Sequence, residues 1–423
     1  MAYTVDKNQL CVDGVALSDI ADAVATPTYV YSADVMTTQY HNLENAMVRN
    51  LPADQQPLLC YACKANSNIA VLSLLRSLGS GLEIVSGGEL HRGLRAGFNP
   101  KHIVMTGVGK QRQEIIDCLE AGIKQFNVES LPELEHIQNV ASDIGKKATV
   151  VFRLNPNVSG GGHDKISTGR ERDKFGLNLE NVHNAYAMAQ DMSHVEAIGL
   201  SMHIGSQVFQ VLSFRKAFET LPDIVQGLRD KGYNVSSLDI GGGFPIQYND
   251  EELLDLDAYA EWVGQIIAPL GTDIIMEPGR YLVGNAGVLL TKTLYTKHTR
   301  ERDFLILDAA MNDLIRPTLY DAYHGIEKVS KDGEDEETFY DVVGPICETG
   351  DTFSKDRALP VMKTGDLVVI KEAGAYGMCM ASNYNTRGLP AEVLVQDGAF
   401  HVIRKRQSVD EILDKDIVPD HLK

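Results

Sequence analysis

The sequence contains no run of about 18 apolar residues, the minimum for a membrane-crossing helix, and Met1 to Val5 lack the basic segment and apolar stretch of a secretory leader. These absences argue against a helical membrane protein and predict a cytoplasmic one. Cysteine is sparse: Cys11, Cys60, Cys63, Cys118, Cys347 and Cys379 are the only six in 423 residues, too few for a disulfide framework. Cys60 and Cys63 have C-x-x-C spacing, but they lie in Leu58-Leu59-Cys60-Tyr61-Ala62-Cys63, which reads as a buried strand. No second pair follows at zinc spacing, so packing is expected of them and no metal site is predicted. Positive charge is also short. With 39 basic against 58 acidic side chains the formal net charge is -19, and such a field repels nucleic acid and anionic lipid, so neither is expected as a partner.

What is present is an ordinary globular composition, 44% hydrophobic and 23% charged, on a chain about two domains long. Short apolar runs alternate with amphipathic stretches: Leu58–Cys63, Leu82–Val85, His102–Met105, Gln125–Val128, Thr149–Leu154, Ile198–His203, Ser236–Ile240 and Asp273–Met276. Segments of helical period, such as Ala70–Leu78 and Phe214–Lys231, separate them. Eight β/α units in series predict a (β/α)8 barrel over 27–283, because parallel strands need crossover helices and eight of them close the sheet. From residue 284 the pattern turns to strands: Asp303–Leu307, Thr338–Val343, Asp366–Ile370, Ala391–Gln396 and Ala399–Arg404, with Asp397-Gly398 as a hairpin signal. A second turn dipeptide, Asp13-Gly14, predicts that residues 1–26 join 284–423 in a β-sandwich or barrel domain. The polar, glycine-rich stretch Ser159–Gly176 reads as a mobile loop over the barrel mouth.

Barrels of this kind carry their active site at the C-terminal ends of the strands. The first strand ends in Lys64, the second in Ser86-Gly87-Gly88-Glu89, and the fifth in Arg153 with Asn155. The sixth ends in His203-Ile204-Gly205-Ser206, the seventh in Gly241-Gly242-Gly243, and the eighth in Glu277-Pro278-Gly279-Arg280. A lysine in low dielectric near other cations becomes a nucleophilic amine. Consecutive glycines expose N–H groups to an anion, and the loops after strands seven and eight are where barrels bind phosphate. A carboxylate at Glu277 suits the protonated nitrogen of a pyridine ring, and Arg280 suits a phosphate or carboxylate. Each signal has a plain alternative: a surface lysine, a tight turn, a Glu277–Arg280 pair, a core histidine. Beyond the barrel, Arg316, Tyr320, Cys347, Glu348, Asp351 and Tyr376 lie near glycines, prolines or strand ends. Singly, each is more often a packing or surface residue.

The motifs Tyr61-Ala62-Cys63-Lys64-Ala65-Asn66, His203-Ile204-Gly205-Ser206-Gln207, Asp239-Ile240-Gly241-Gly242-Gly243-Phe244 and Glu277-Pro278-Gly279-Arg280 resemble those of the fold-type III pyridoxal 5'-phosphate-dependent decarboxylases. Arg316-Pro317-Thr318-Leu319-Tyr320, Gly344-Pro345-Ile346-Cys347-Glu348-Thr349-Gly350-Asp351 and Met380-Ala381-Ser382-Asn383-Tyr384 look like those of the branch acting on diaminopimelate. The resemblance covers nearly the whole chain and implies a homodimer with shared sites and an amino-acid substrate. It implies that Lys64 holds the cofactor as a Schiff base, that His203 stacks on its ring, and that Glu277 pairs with its nitrogen. Ser206, Gly242, Gly243, Gly279 and Arg280 would surround the phosphate, with Arg280 and Tyr376 also near substrate. Arg316, Tyr320 and Glu348 would read the distal end of the substrate, and Cys347 would be the acid. Thr349 stands where a serine is common, and Cys63 where a valine is. Decarboxylases of ornithine, lysine, arginine or carboxynorspermidine are the alternatives within the class.

Overall fold

The computed structural model describes residues 3–157, 173–332 and 336–423. The chain divides into two units: Thr37–Gln247 with Glu251–Leu282, and Met1–Met36 with Tyr248–Asp250 and Val283–Lys423.

The first of these is a closed barrel of eight parallel strands: β1 (Leu58–Ala62), β2 (Gly81–Ile84), β3 (Ile103–Met105), β4 (Gln125–Val128), β5 (Ala148–Arg153), β6 (Val195–Ser201), β7 (Ser237–Asp239) and β8 (Asp273–Met276). Closure is made where Ile275 and Met276 pair with Leu58 and Leu59, and Ala62 N–H donates to Pro278 O at 2.9 Å. Polar residues just past the strands start the crossover helices. Asn68, Ser86 and Ser130 each accept a first-turn N–H with the side chain, satisfying one of the donors that a helix start leaves without an intrahelical partner. The helical stretch expected over 214–231 is instead two helices, Val211–Phe218 and Leu221–Asp230, because Pro222 can occupy a first turn but not a helix interior.

The second unit holds, among its described residues, a three-stranded antiparallel sheet at the N-terminus and a nine-stranded mixed sheet. The larger sheet contains the five expected strands together with Gly287–His298, Thr352–Pro360, Ile326–Lys328 and Thr28–Ser32. Thr28–Ser32, assigned from sequence to the barrel portion, lies between Gly287–His298 (antiparallel) and Ala391–Gln396 (parallel). Both turn dipeptides adopt the left-handed backbone that a two-residue hairpin requires, with φ of 44° and 80° at Asp13-Gly14 and 52° and 72° at Asp397-Gly398. The N-terminal residues Leu10, Val12, Leu17 and Ile20 share a buried core with Val30, Val288, Leu290, Val369 and Val393. Every cysteine is a free thiol, and Cys60 and Cys63 are buried. No helix of the described residues is long and apolar enough to cross a membrane.

Candidate active site

At the C-terminal end of the barrel is a cavity of about 320 Å³, of the size that holds small ligands. Lys64, Val85, Thr106, Asn127, Arg153, Phe175, Ser201, His203 and Glu277 are among its lining residues. Lys64 follows β1 in a single 3-10 turn (Cys63–Ala65), and its Nζ donates to Glu83 Oε2 at 2.7 Å. Glu83 points inward from the middle of β2 and is fully buried.

Glu277, just past β8, reaches into the barrel, where its Oε1 accepts from Thr106 Oγ1 at 3.2 Å and Asn127 Nδ2 at 3.3 Å. Asn127 also donates to Asp239 Oδ2 at 2.8 Å, and Asp239 Oδ1 accepts the N–H of Gly241 at 3.0 Å. Burial, and after it the charges of Asp239 and Glu83, push the Glu277 carboxyl well above its ordinary value. Three acidic side chains, Glu83, Asp239 and Glu277, are thus buried in the barrel, and the first of them holds the Lys64 ammonium.

His203 follows β6, and its Nδ1 accepts the N–H of Gly242 at 3.2 Å. Burial, then the positive charges of Arg153 and Lys64, hold its imidazole well below the usual range, so the ring is neutral. Arg153 pairs with the buried Glu129 at 2.7 Å and lies over the Phe175 ring, 4.8 Å from its centroid. Glu129 also accepts the N–H groups of Gly107 and Gly176. The stretch expected to be a mobile loop, Ser159–Gly176, falls outside the described residues up to 172.

Close backbone approach accounts for the glycines at the end of β7. A Cβ on Gly241 would come within 2.3 Å of Met202 O, on Gly242 within 2.0 Å of Glu277 O, and on Gly243, at φ 105°, within 2.5 Å of Gly205 O. These contacts bring the ends of β6, β7 and β8 together. Arg280, buried beside them, donates to Ser206 Oγ at 3.3 Å. Gly279 leaves room for Ala62, whose Cβ would be 3.0 Å from an added methyl.

The remaining candidates lie in the β unit. Arg316 opens the short helix Arg316–Tyr320 and is buried, whereas Cys347 and Glu348 are exposed. Asp351 shapes their loop: its carboxylate accepts from Met311 N and Ile346 N, each at 2.7 Å. The helix is tied to that loop through Thr318 Oγ1 and Gly350 O at 2.8 Å, so Arg316, Tyr320, Cys347 and Glu348 belong to one local assembly. Glu348 accepts from Tyr384 OH at 3.0 Å, and Cys347 N donates to Asn385 Oδ1 at 3.2 Å. Tyr376 has φ 56°, a strained conformation for a residue with a side chain. Sequence reasoning missed Glu83, Thr106, Asn127 and Asp239 as functional positions. The available signal was a polar residue inside an otherwise apolar strand, as in Leu82-Glu83-Ile84 and Phe126-Asn127-Val128.

The buried Glu277, with its carboxyl pushed up by burial and by the charges of Asp239 and Glu83, would be favoured as a carboxylate by a positive partner, and a protonated pyridine nitrogen is such a partner. With Lys64 at the rim and Arg280 beside Ser206, the barrel has the features of a pyridoxal phosphate enzyme. Residues 38–284 match the pyridoxal-binding domain of the pyridoxal-dependent decarboxylases. The chain is 46% identical over 404 residues to the diaminopimelate decarboxylase of Pseudomonas aeruginosa, with 96% of each protein covered. Among solved structures, the diaminopimelate decarboxylase of M. jannaschii in complex with L-lysine superposes with a TM-score of 0.94 at 35% identity, covering 100% of this chain and 99% of that one. The Helicobacter pylori enzyme, also with L-lysine, gives 0.89 at 38% identity, over 94% of this chain and 98% of that one. The chain belongs to the diaminopimelate decarboxylase family of pyridoxal-dependent decarboxylases, and its cofactor is pyridoxal 5'-phosphate.

Proposed function

We propose that the protein decarboxylates meso-2,6-diaminopimelate to L-lysine and CO2, the last step of lysine biosynthesis, as a cytoplasmic homodimer. Similarity along nearly the full length to enzymes of that name carries this reading. The pairing of a buried cation, Arg316, with an exposed carboxylate, Glu348, in one assembly of the β unit supports it. A substrate with a carboxylate and an ammonium at its far end needs both.

Bound in the barrel, pyridoxal phosphate supplies an electron sink for the pair left behind when CO2 departs. Lys64 holds the cofactor through its amine, and Glu83, hydrogen-bonded to Nζ, keeps that amine over the cavity. Glu277 pairs with the ring nitrogen and keeps it protonated. His203, being neutral, lies against the ring without adding a charge that would oppose that proton. Ser206, Gly242, Gly243, Gly279 and Arg280 surround the phosphate, while Arg280 and Tyr376 also approach the substrate. Arg316, Tyr320 and Glu348 read its distal end. Cys347, offered from the partner subunit, returns a proton to the α-carbon as a general acid.

A panel assay of CO2 release from meso-diaminopimelate, ornithine, lysine, arginine and carboxynorspermidine tests the substrate. Turnover is expected with the first. Preference for ornithine or lysine would overturn the substrate while leaving a decarboxylase. The shared site is tested by mixing inactive K64A and C347A subunits. Random exchange makes about half the dimers mixed, each with one intact site of two, so activity should return to roughly a quarter of wild type. A tagged control shows that exchange has occurred, and no recovery after exchange would place Cys347 outside a shared site.

A further inference from the structure

Arg316 is 6% exposed and needs its direction set if it is to meet a carboxylate. Two neighbours in the β unit set it. The guanidinium lies 4.6 Å from the centroid of the Tyr248 ring, and its Nη1 donates to His324 Nε2 at 2.9 Å. His324 is 1% exposed and is itself held at both ends of its ring. Its Nδ1 lies 2.7 Å from Lys371 O, a carbonyl that can only accept, so Nδ1 carries the proton and Nε2 presents the lone pair. The Tyr248 ring meets the imidazole edge-on at 5.3 Å, closing the set on a third side. A carboxylate in the place of His324 would neutralise Arg316, whereas a neutral acceptor fixes its direction and leaves its charge available to a ligand.

We propose that His324 is a positioning residue that orients Arg316 toward the distal carboxylate of the substrate, through a neutral ring locked in one tautomer by Lys371 O. This rests on Arg316 meeting that carboxylate, so the two must be tested apart. The product L-lysine retains the distal carboxylate and 1,5-diaminopentane lacks it. The ratio of their inhibition constants therefore reports on the contact to that carboxylate, and a general loosening of the site weakens both inhibitors alike.

The experiment compares that ratio in the wild-type holoenzyme, R316A, H324N and H324Q. Asparagine keeps a donor near Lys371 O but has no acceptor at the Nε2 position, whereas glutamine places an amide oxygen close to it. R316A and H324N should each reduce the advantage of L-lysine by about tenfold or more, the size of a charge-assisted contact. H324Q should stay within about threefold of wild type, since a neutral acceptor is restored. In H324N the Michaelis constant for meso-diaminopimelate should rise while the turnover number changes little. A wild-type ratio in H324N with a lost one in R316A overturns the positioning role and leaves Arg316 as the carboxylate group. A wild-type ratio in R316A overturns the role of Arg316, and that of His324 with it. If H324N fails to form holoenzyme, H324Q decides: a ratio as low as that of R316A rejects the acceptor at Nε2 as the orienting contact.

Discussion

The barrel mouth and the loop from Gly344 to Asp351 carry candidate chemistry in opposite ways. In the barrel, Glu83, Asp239, Glu277 and Arg153 are buried, and burial is the first cause of the raised Glu277 carboxyl and the lowered His203 imidazole. In the loop, Cys347 and Glu348 face solvent, and only the backbone around them is fixed, by the buried Asp351. Burial pre-sets protonation before any ligand arrives. An exposed loop supplies reach and selectivity and acquires its electrostatics from what covers it. Substitutions in the barrel should therefore act on the chemical step, and that of Glu348 in the loop on substrate binding.

The largest effect should come from Lys64→Ala, which removes the amine that Glu83 holds at the cavity. Turnover should drop by about 10⁴-fold or more, with loss of the cofactor's absorbance band, read by spectrophotometry and CO2 release. Near-normal turnover would mean that Lys64 is wrongly assigned. Glu277→Gln should retain the cofactor and slow turnover by about 100-fold or more, because an amide cannot balance a pyridinium. An unchanged turnover number would remove Glu277 from the ring nitrogen.

On the other side of the comparison, Glu348→Ala should raise the Michaelis constant for meso-diaminopimelate by about tenfold with little change in cofactor affinity. A fall in turnover with no change in that constant would put Glu348 in the chemical step and erase the contrast.

The smallest effect is on stability. Burial pushes Glu89, on the helix after β2, from its ordinary value of 4.5 up to about 7. A folded value above the unfolded one means that the folded chain holds the extra proton between these values and loses stability as pH rises through them. Glu89→Gln removes that loss, so above pH 7 it should be more stable than wild type by roughly 1–2 kcal/mol, or about 2–5 °C in melting temperature. The difference should fade toward pH 4.5. A pH-independent gap would attribute it to packing.

How much was legible before the structure depends on how local each signal is. The eight barrel strands stood out because each is a short apolar run bounded by helix-starting polar residues, and the strand ends named Lys64, His203, Glu277 and Arg280. The inward polar network did not stand out, because Asn127 and Asp239 meet only across the barrel. The three glycines read as a bare anion cradle, yet the structure shows each required by a neighbouring carbonyl within 2.5 Å. Thr28–Ser32 was grouped with the barrel because its partners lie far along the chain and no local pattern records such pairing. His324 escaped notice since its role exists only through Arg316.

That same strand bears on how the protein is made. Thr28–Ser32 leaves the ribosome early, yet it has a neighbour on each side only after Gly287–His298 and then Ala391–Gln396 have emerged. At about 5–20 residues per second it waits tens of seconds, its backbone donors and acceptors unmatched, while every strand of the barrel is completed behind it. The nascent chain thus carries an adhesive segment through most of its synthesis, and only a strand close to the C-terminus, Ala391–Gln396, retires its second edge.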